Sequence, residues 1–182
     1  MATDTLTLPD ISRLMAATDA TWAPAEMLDF GGWRLRAGAG GGKRVSAASP
    51  LEHSAAAAIE DAEAVMRDWG QPGLFRLTPA DAALDAELES RGYRLLDPVV
   101  LYAGPVARLA GEGSHQAALY RCSFAPAIIE EIWAAGGIGP GRLEVMDRVT
   151  GPSTKLLSRA GDTPQPSPGR DCVLSTSCES FG

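Results

Sequence analysis

Few residues in this chain have the type and spacing to do chemistry. Gly38, Gly40, Gly41 and Gly42 followed by Lys43 have the make-up of a phosphate-cradling loop, in which glycine backbones turn several N–H groups toward one anion. Such a loop stands between a strand and the N-terminus of a helix. Here the next run alternates Val45 and Ala47 with Arg44 and Ser46, the period of a strand, so the pattern favours a hairpin connection. The acids Glu60, Asp61, Glu63 and Asp68 lie outside the apolar stripe of a helix and read as a solvated face rather than as acid–base machinery. His53 and His115 are the two imidazoles, and neither stands near a cysteine. Cys122, Cys172 and Cys178 contain no CxxC pair, which supports neither a disulfide framework nor a zinc site, so no metal is expected.

A chain of 182 residues has room for one domain or one and a fraction, and its 45% hydrophobic residues are enough to bury a core. With 23 acidic against 16 basic residues the net charge is -7, which repels phosphate backbones and anionic lipid. The densest basic patch, Arg34, Arg36, Lys43 and Arg44, is small. Neither nucleic acid nor a membrane is an expected partner. No run approaches the roughly 20 apolar residues of a spanning helix, and Met1-Ala2-Thr3-Asp4 lacks the basic start of a signal peptide, so a cytoplasmic protein is expected.

The elements that must position these residues follow from periodicity. Pro9 to Ala20 reads as a helix with Ile11, Leu14, Met15 and Thr18 on one face. Phe30 to Ala37 reads as a strand, with Trp33 and Leu35 facing one way and Arg34 and Arg36 the other. Lys43 to Ala48 reads as its antiparallel hairpin partner across Gly38 to Gly42. Ser49-Pro50-Leu51-Glu52 has the form of a helix start, opening the longest helix, whose stripe runs through Leu51, Ala55, Ala58, Ile59, Ala62, Val65, Met66 and Trp69 to a stop at Gly70 and Pro72. Gly73 to Leu77 is strand-like, Thr78 to Asp81 opens a helix carrying Ala83, Leu84 and Leu88, and Arg91-Gly92-Tyr93 closes it. Arg94 to Tyr102 is strand-like again.

Residues 1–104 therefore read as one domain, 105–114 as a linker, and 115–160 as the start of a second unit that breaks off unfinished. In that second unit Ala117 to Cys122 reads as a strand and Ser123 to Ala135 as a helix with Ile128, Ile129, Ile132 and Trp133 on one side. Arg142 to Thr150 reads as a further strand, with Thr154 to Ser158 as its partner. From residue 161 the periodicity is lost and a disordered tail is expected.

The order helix, hairpin, long helix, strand, helix, strand resembles that of the GCN5-related N-acetyltransferase (GNAT) superfamily. Gly32-Trp33-Arg34-Leu35-Arg36, Lys43-Arg44-Val45-Ser46-Ala47, Phe75-Arg76-Leu77-Thr78-Pro79, Leu84-Asp85 and Arg91-Gly92-Tyr93 resemble the N-terminal half of bacterial proteins built from two GNAT-like domains. Ile132-Trp133-Ala134-Ala135-Gly136-Gly137-Ile138-Gly139 with Arg142-Leu143-Glu144-Val145-Met146-Asp147-Arg148 resembles the start of their second domain. The resemblance covers residues 9 to 160. It implies an α/β (α+β) fold with a mixed, mostly antiparallel sheet flanked by helices, followed by an incomplete second GNAT-like unit.

The same resemblance implies acetyl transfer from acetyl-CoA, as co-substrate, to an amine of a small molecule or peptide. Two parallel strands splay to hold the pantetheine arm, and a glycine-rich turn at a helix N-terminus receives the diphosphate. It also implies that Trp133, Arg142, Asp147 and Arg148 lie where the second domain builds its acceptor pocket. The alternative is that Trp133 is core and the charged residues are solvated strand faces. No Q/R-x-x-G-x-G/A turn precedes the long helix, and Pro50 has no N–H to donate, so a second reading is a non-catalytic GNAT-like module or truncated pseudoenzyme. A third is an unrelated α/β ligand-binding protein. An unfinished second unit leaves an open sheet edge, so self-association through residues after about 115 is expected.

Overall fold

The computed structural model describes residues 8–51, 58–105, 118–122, 127–151, 153–159 and 173–177. These residues make a mixed α/β structure with five α-helices and two three-stranded antiparallel sheets. The chain forms two compact units. One comprises Trp22–Val100 together with Pro140–Arg148, and the other Met1–Thr21, Leu101–Gly139 and Val149–Gly182. They are called here the Trp33 unit and the Trp133 unit after their buried tryptophans.

In the Trp33 unit, β1 (Glu26–Phe30) pairs antiparallel with β2 (Trp33–Ala37), Leu28 opposite Leu35. Gly31 and Gly32 both have positive φ, 59° and 83°, the two-residue turn whose twist matches that of paired strands. The hairpin is therefore closed at Gly31-Gly32, and not at Gly38–Gly42 as the alternation of Lys43 to Ala48 suggested. After the second glycine cluster comes a 3-10 turn at Lys43–Val45, and only Ser49–Pro50 (β3) joins the other edge of β2. Ser49-Pro50 is thus strand rather than the expected helix start. The proposed capping partner Glu52 and the stripe residue Ala55 lie outside the described residues.

The long helix, α2 (Ile59–Asp68), begins after the extended Ala58. Ile59, Ala62 and Met66 are buried along the predicted stripe. Gly70, at φ 67°, ends the helix, with the amide of Gln71 donating to the Met66 carbonyl at 2.8 Å and that of Gly70 to the Arg67 carbonyl at 2.9 Å. The segment that follows touches the sheet at one rung, a parallel bridge between Ala48 and Phe75. Ala48 N–H donates to the Leu74 carbonyl at 2.9 Å and Arg76 N–H to the Ala48 carbonyl at 2.8 Å. The next rung would need an N–H from residue 50, which is proline, so the ladder stops at this bridge.

Thr78 then closes a capping box. Its amide and hydroxyl both donate to the Asp81 carboxylate at 2.7 Å, and a 3-10 turn at Pro79–Asp81 leads into α3 (Ala82–Ser90). Gly92, at φ 88°, and Tyr93, whose amide donates to the Leu88 carbonyl at 3.0 Å, end the helix as the sequence predicted. The core holds Trp33, Leu35, Ala48, Ile59, Ala62, Met66, Leu84 and Leu88, with Phe75 and Tyr93 against it. The rings of Trp33, Phe75 and Tyr93 meet in series, the first pair tilted and the second edge-on, with centroids 5.1 and 5.2 Å apart. The strand expected over Arg94 to Tyr102 is absent. Asp97 takes a left-handed φ of 51° just before Pro98, which breaks an extended run, and its carboxylate is held by Lys43 at 2.6 Å.

In the Trp133 unit, α1 (Ile11–Thr21) is capped by Asp10, whose carboxylate accepts from the Arg13 amide at 2.8 Å. β4 (Ala118–Cys122), β5 (Ser153–Arg159) and β6 (Val173–Ser177) form an antiparallel sheet in that order, with Tyr120 opposite Leu157 and Leu156 opposite Leu174. β6 falls inside the stretch expected to be a disordered tail, and the rest of residues 161–182 lies outside the described residues. α4 (Ala127–Ala135) buries Ile129 and Trp133 and closes on Gly137, with Ile138 N–H donating to the Trp133 carbonyl at 2.8 Å. Ile128, expected on the buried face, is half exposed.

The strand expected over Arg142 to Thr150 is instead a helix, α5 (Pro140–Asp147), with its own place in the Trp33 unit. Proline suits the first helical position because the missing N–H has no partner there, and Arg148 pairs with Glu144 one turn back at 3.0 Å. The even spacing of Leu143, Val145 and Val149, two residues and then four, was the misleading signal. What settles the helix is the four-residue spacing of Gly141 and Val145, both against the loop at Gly38–Gly42.

Candidate functional site

The residues with the most chemical potential in the Trp33 unit gather where Gly38–Gly42 meets α5. Ala39, Gly40 and Gly42 all have positive φ, 45°, 80° and 96°, so the backbone bends sharply three times within four residues. One side chain from beyond α2 anchors the start of this loop. The Gln71 carboxamide accepts from Gly38 N–H at 2.5 Å and donates to the carbonyls of Arg36 at 3.0 Å and Ser46 at 3.4 Å. Gly41 N–H turns inward to the Gly38 carbonyl at 2.8 Å.

The helix meets the loop backbone to backbone. A Cβ on Gly141 would lie 2.7 Å from the carbonyl carbon of Gly40, and one on Gly41 would lie 2.3 Å from Val145 Cγ2 and 2.8 Å from Val45 Cγ2. Neither position accepts a larger residue without displacement. Arg142 comes with the helix, its Nε 3.6 Å from where a Cβ on Gly42 would stand. The glycine loop therefore does have a helix N-terminus beside it, supplied from a distant part of the chain rather than by the residues that follow it. The loop atoms against the start of α5 are the carbonyls of Gly40 and Ala39, so the positive end of the helix already faces acceptors of the loop, with the Arg142 guanidinium beside Gly42.

A second polar cluster lies beneath β3. Arg36, expected to face solvent, is buried, and its guanidinium donates to the Ala47 carbonyl at 2.9 Å and to Ser49 Oγ at 3.1 Å. Arg76 Nε donates to the same hydroxyl at 3.3 Å. Ser49 is thus an acceptor for two arginines rather than a helix cap. Sequence reasoning missed both Gln71 and Ser49. Each acts through carbonyls or guanidiniums distant in sequence, and no local pattern announces that.

The four residues expected to line an acceptor pocket are placed as follows. Arg142, Asp147 and Arg148 share α5 and the turn that ends it, Arg142 at the glycine loop, Asp147 exposed, and Arg148 engaged with Glu144. Trp133 is buried on α4 in the other unit.

Two carboxylates in the Trp33 unit are held below the usual range. Asp29 is lowered first by its hydrogen bonds from Arg34, at 2.9 and 2.7 Å, and Glu60 first by its bond from Arg91. Tyr93 is pushed up to about 12, chiefly by burial and then by its hydrogen bond to Glu63 at 2.6 Å. No family model, curated protein or solved structure matches the chain.

Proposed function

We propose that this chain is a GNAT-like protein that passes an acetyl group from acetyl-CoA to an amine of a small molecule or peptide. The observation that carries the reading is the single parallel rung between Ala48 and Phe75, ended by Pro50. Parallel pairing that stops after one rung is the arrangement from which an acyl-CoA fold opens the cleft that admits a pantetheine arm. The order β1, β2, β3, α2, bridge, α3 supports the same reading. So does the antiparallel pairing of all three strands of this sheet.

The turn just before α2, where the resemblance implies diphosphate binding, falls in residues 52–57, outside the described residues. Among the described residues, the Arg142 guanidinium beside Gly42 is the charge that a phosphate could meet at the glycine loop. Asp147, exposed at the far end of that helix, would attract an ammonium acceptor.

Calorimetry and thermal shift with acetyl-CoA test the reading. Binding in the micromolar range is expected, with stabilisation of about 2.7 kcal/mol at a hundredfold excess over Kd. Asp147→Asn is then expected to raise KM for the amine while stability stays within about 0.5 kcal/mol, as for other exposed sites. A flat titration would remove the acetyltransferase reading. It would leave the non-catalytic GNAT-like module, which the absence of a Q/R-x-x-G-x-G/A turn before the long helix favours.

A further inference from the structure

We propose that Ser49, on β3 of the Trp33 unit, is built to carry a phosphoryl group. Two guanidiniums converge on its hydroxyl oxygen, Arg36 Nη1 donating at 3.1 Å and Arg76 Nε at 3.3 Å. A hydroxyl oxygen has two acceptor positions and one proton, so both acceptor positions are taken. The proton is given to no acceptor among the described residues. Phosphorylation replaces that proton, and it turns the neutral oxygen on which two cations are aimed into part of a group with a charge of about -1.5 to -2.

The surroundings hold the charge that a phosphate monoester needs. Arg36 is 2% exposed, so water screens its guanidinium little. Arg34 stands opposite Ser49 in the register of β2 and β3, and Arg36 follows two residues along β2 on the same face. Hydrogen bonds from a guanidinium to an ionised oxygen are roughly twice as strong as those to a neutral one, and each guanidinium has further N–H groups beside the one it gives to Ser49. Ser49 itself is half-buried, and β3 is two residues long. A strand that short opens locally at little cost, which gives a protein kinase its access. The kinase passes the γ-phosphoryl group of ATP to Ser49 Oγ. The Oγ–P bond forms, the bond from phosphorus to the departing ADP oxygen breaks, and the hydroxyl proton goes to the base of the kinase. The proposal does not depend on the acetyltransferase reading.

The test compares the full chain carrying phosphoserine at position 49 with the native chain. Phosphorus magnetic resonance reads the ionisation of the phosphate directly. The second ionisation of a phosphoserine ordinarily falls at about pH 6, and guanidiniums that favour the dianion are expected to lower it by at least about 0.5. The melting temperature is expected to rise by about 3 °C or more. Arg76→Met removes one donor and keeps the length of the side chain, so in that variant the phosphate should titrate closer to its ordinary value and the thermal gain should shrink. Inorganic phosphate alone, at about 10 mM, should leave the melting temperature of the native chain unchanged. A phosphate that titrates at or above its ordinary value in the otherwise native chain would overturn the proposal, and that measurement needs no variant to fold. So would a fall in melting temperature on phosphorylation, or a gain undiminished by Arg76→Met. Stabilisation by inorganic phosphate as large as that by phosphoserine would assign the arginines to a free anion and overturn it equally.

Discussion

Tyr93 shows how a single side chain links packing to proton chemistry. Its ring meets Phe75 edge-on, its hydroxyl donates to Glu63 at 2.6 Å, and that oxygen would lie 2.6 Å from a Cβ on Gly73. Burial and the neighbouring carboxylate both disfavour the phenolate, hence the value near 12. The folded value lies above that of the unfolded chain, near 10, so the contribution is fully present below pH 10. It is lost as pH rises from about 10 to 12, because the unfolded phenol ionises first. Urea melts across that window should show the native chain losing about 1–2 kcal/mol that Tyr93→Phe does not lose.

Trp33 and Leu35 were legible from alternation alone, and both are buried. Arg36 was not. Alternation turns it outward, whereas the Ala47 carbonyl, just before β3, and the Ser49 hydroxyl on β3 accept from its guanidinium and give it an interior place. A buried arginine is invisible to a hydropathy pattern because its partners are backbone and hydroxyl oxygens elsewhere in the chain.

At the scale of elements, helix-end signals served unevenly: those of α3 and the stop of α2 held, whereas the helix start read at Ser49–Glu52 did not open α2, which begins at Ile59. Thr78 and Asp81 cap α3, Gly92 closes it, and Gly70 closes α2. Thr78→Ala removes the hydroxyl and should lower stability by about 1 kcal/mol, read as an earlier chemical-denaturation midpoint with an unchanged slope. The strands were harder to place. Phe30 to Ala37 was read as one strand, whereas Gly31 and Gly32, both at positive φ, turn within it and join β1 directly to β2. α5 was misread for a related reason. Its apolar residues alternate in pairs, and the surface that selects the Gly141 and Val145 face is a loop far away in sequence.

For the molecule as a whole, the described core is uneven. In the Trp33 unit β2, α2 and α3 share one continuous cluster, whereas α1 contributes no buried residue. Hydrogen exchange should therefore find the amides of β2 and α2 slowest and those of α1 fastest among the described helices. Equal protection of α1 and α2 would contradict this distribution. The α/β class was legible because helical and strand periods alternate along the chain. The passage of residues 140–148 into the unit formed by 22–100 was not, since no local period records which unit an element joins.

That passage limits how the protein divides. A shortened polypeptide ending at residue 100 would keep β1–β3, α2 and α3 and yet lose Val145 from over Gly41 and Val45, and the Gly141 backbone from beside Gly40. The bared loop would be an apolar notch, so the piece most easily cut out by counting residues is not one that can stand alone unchanged.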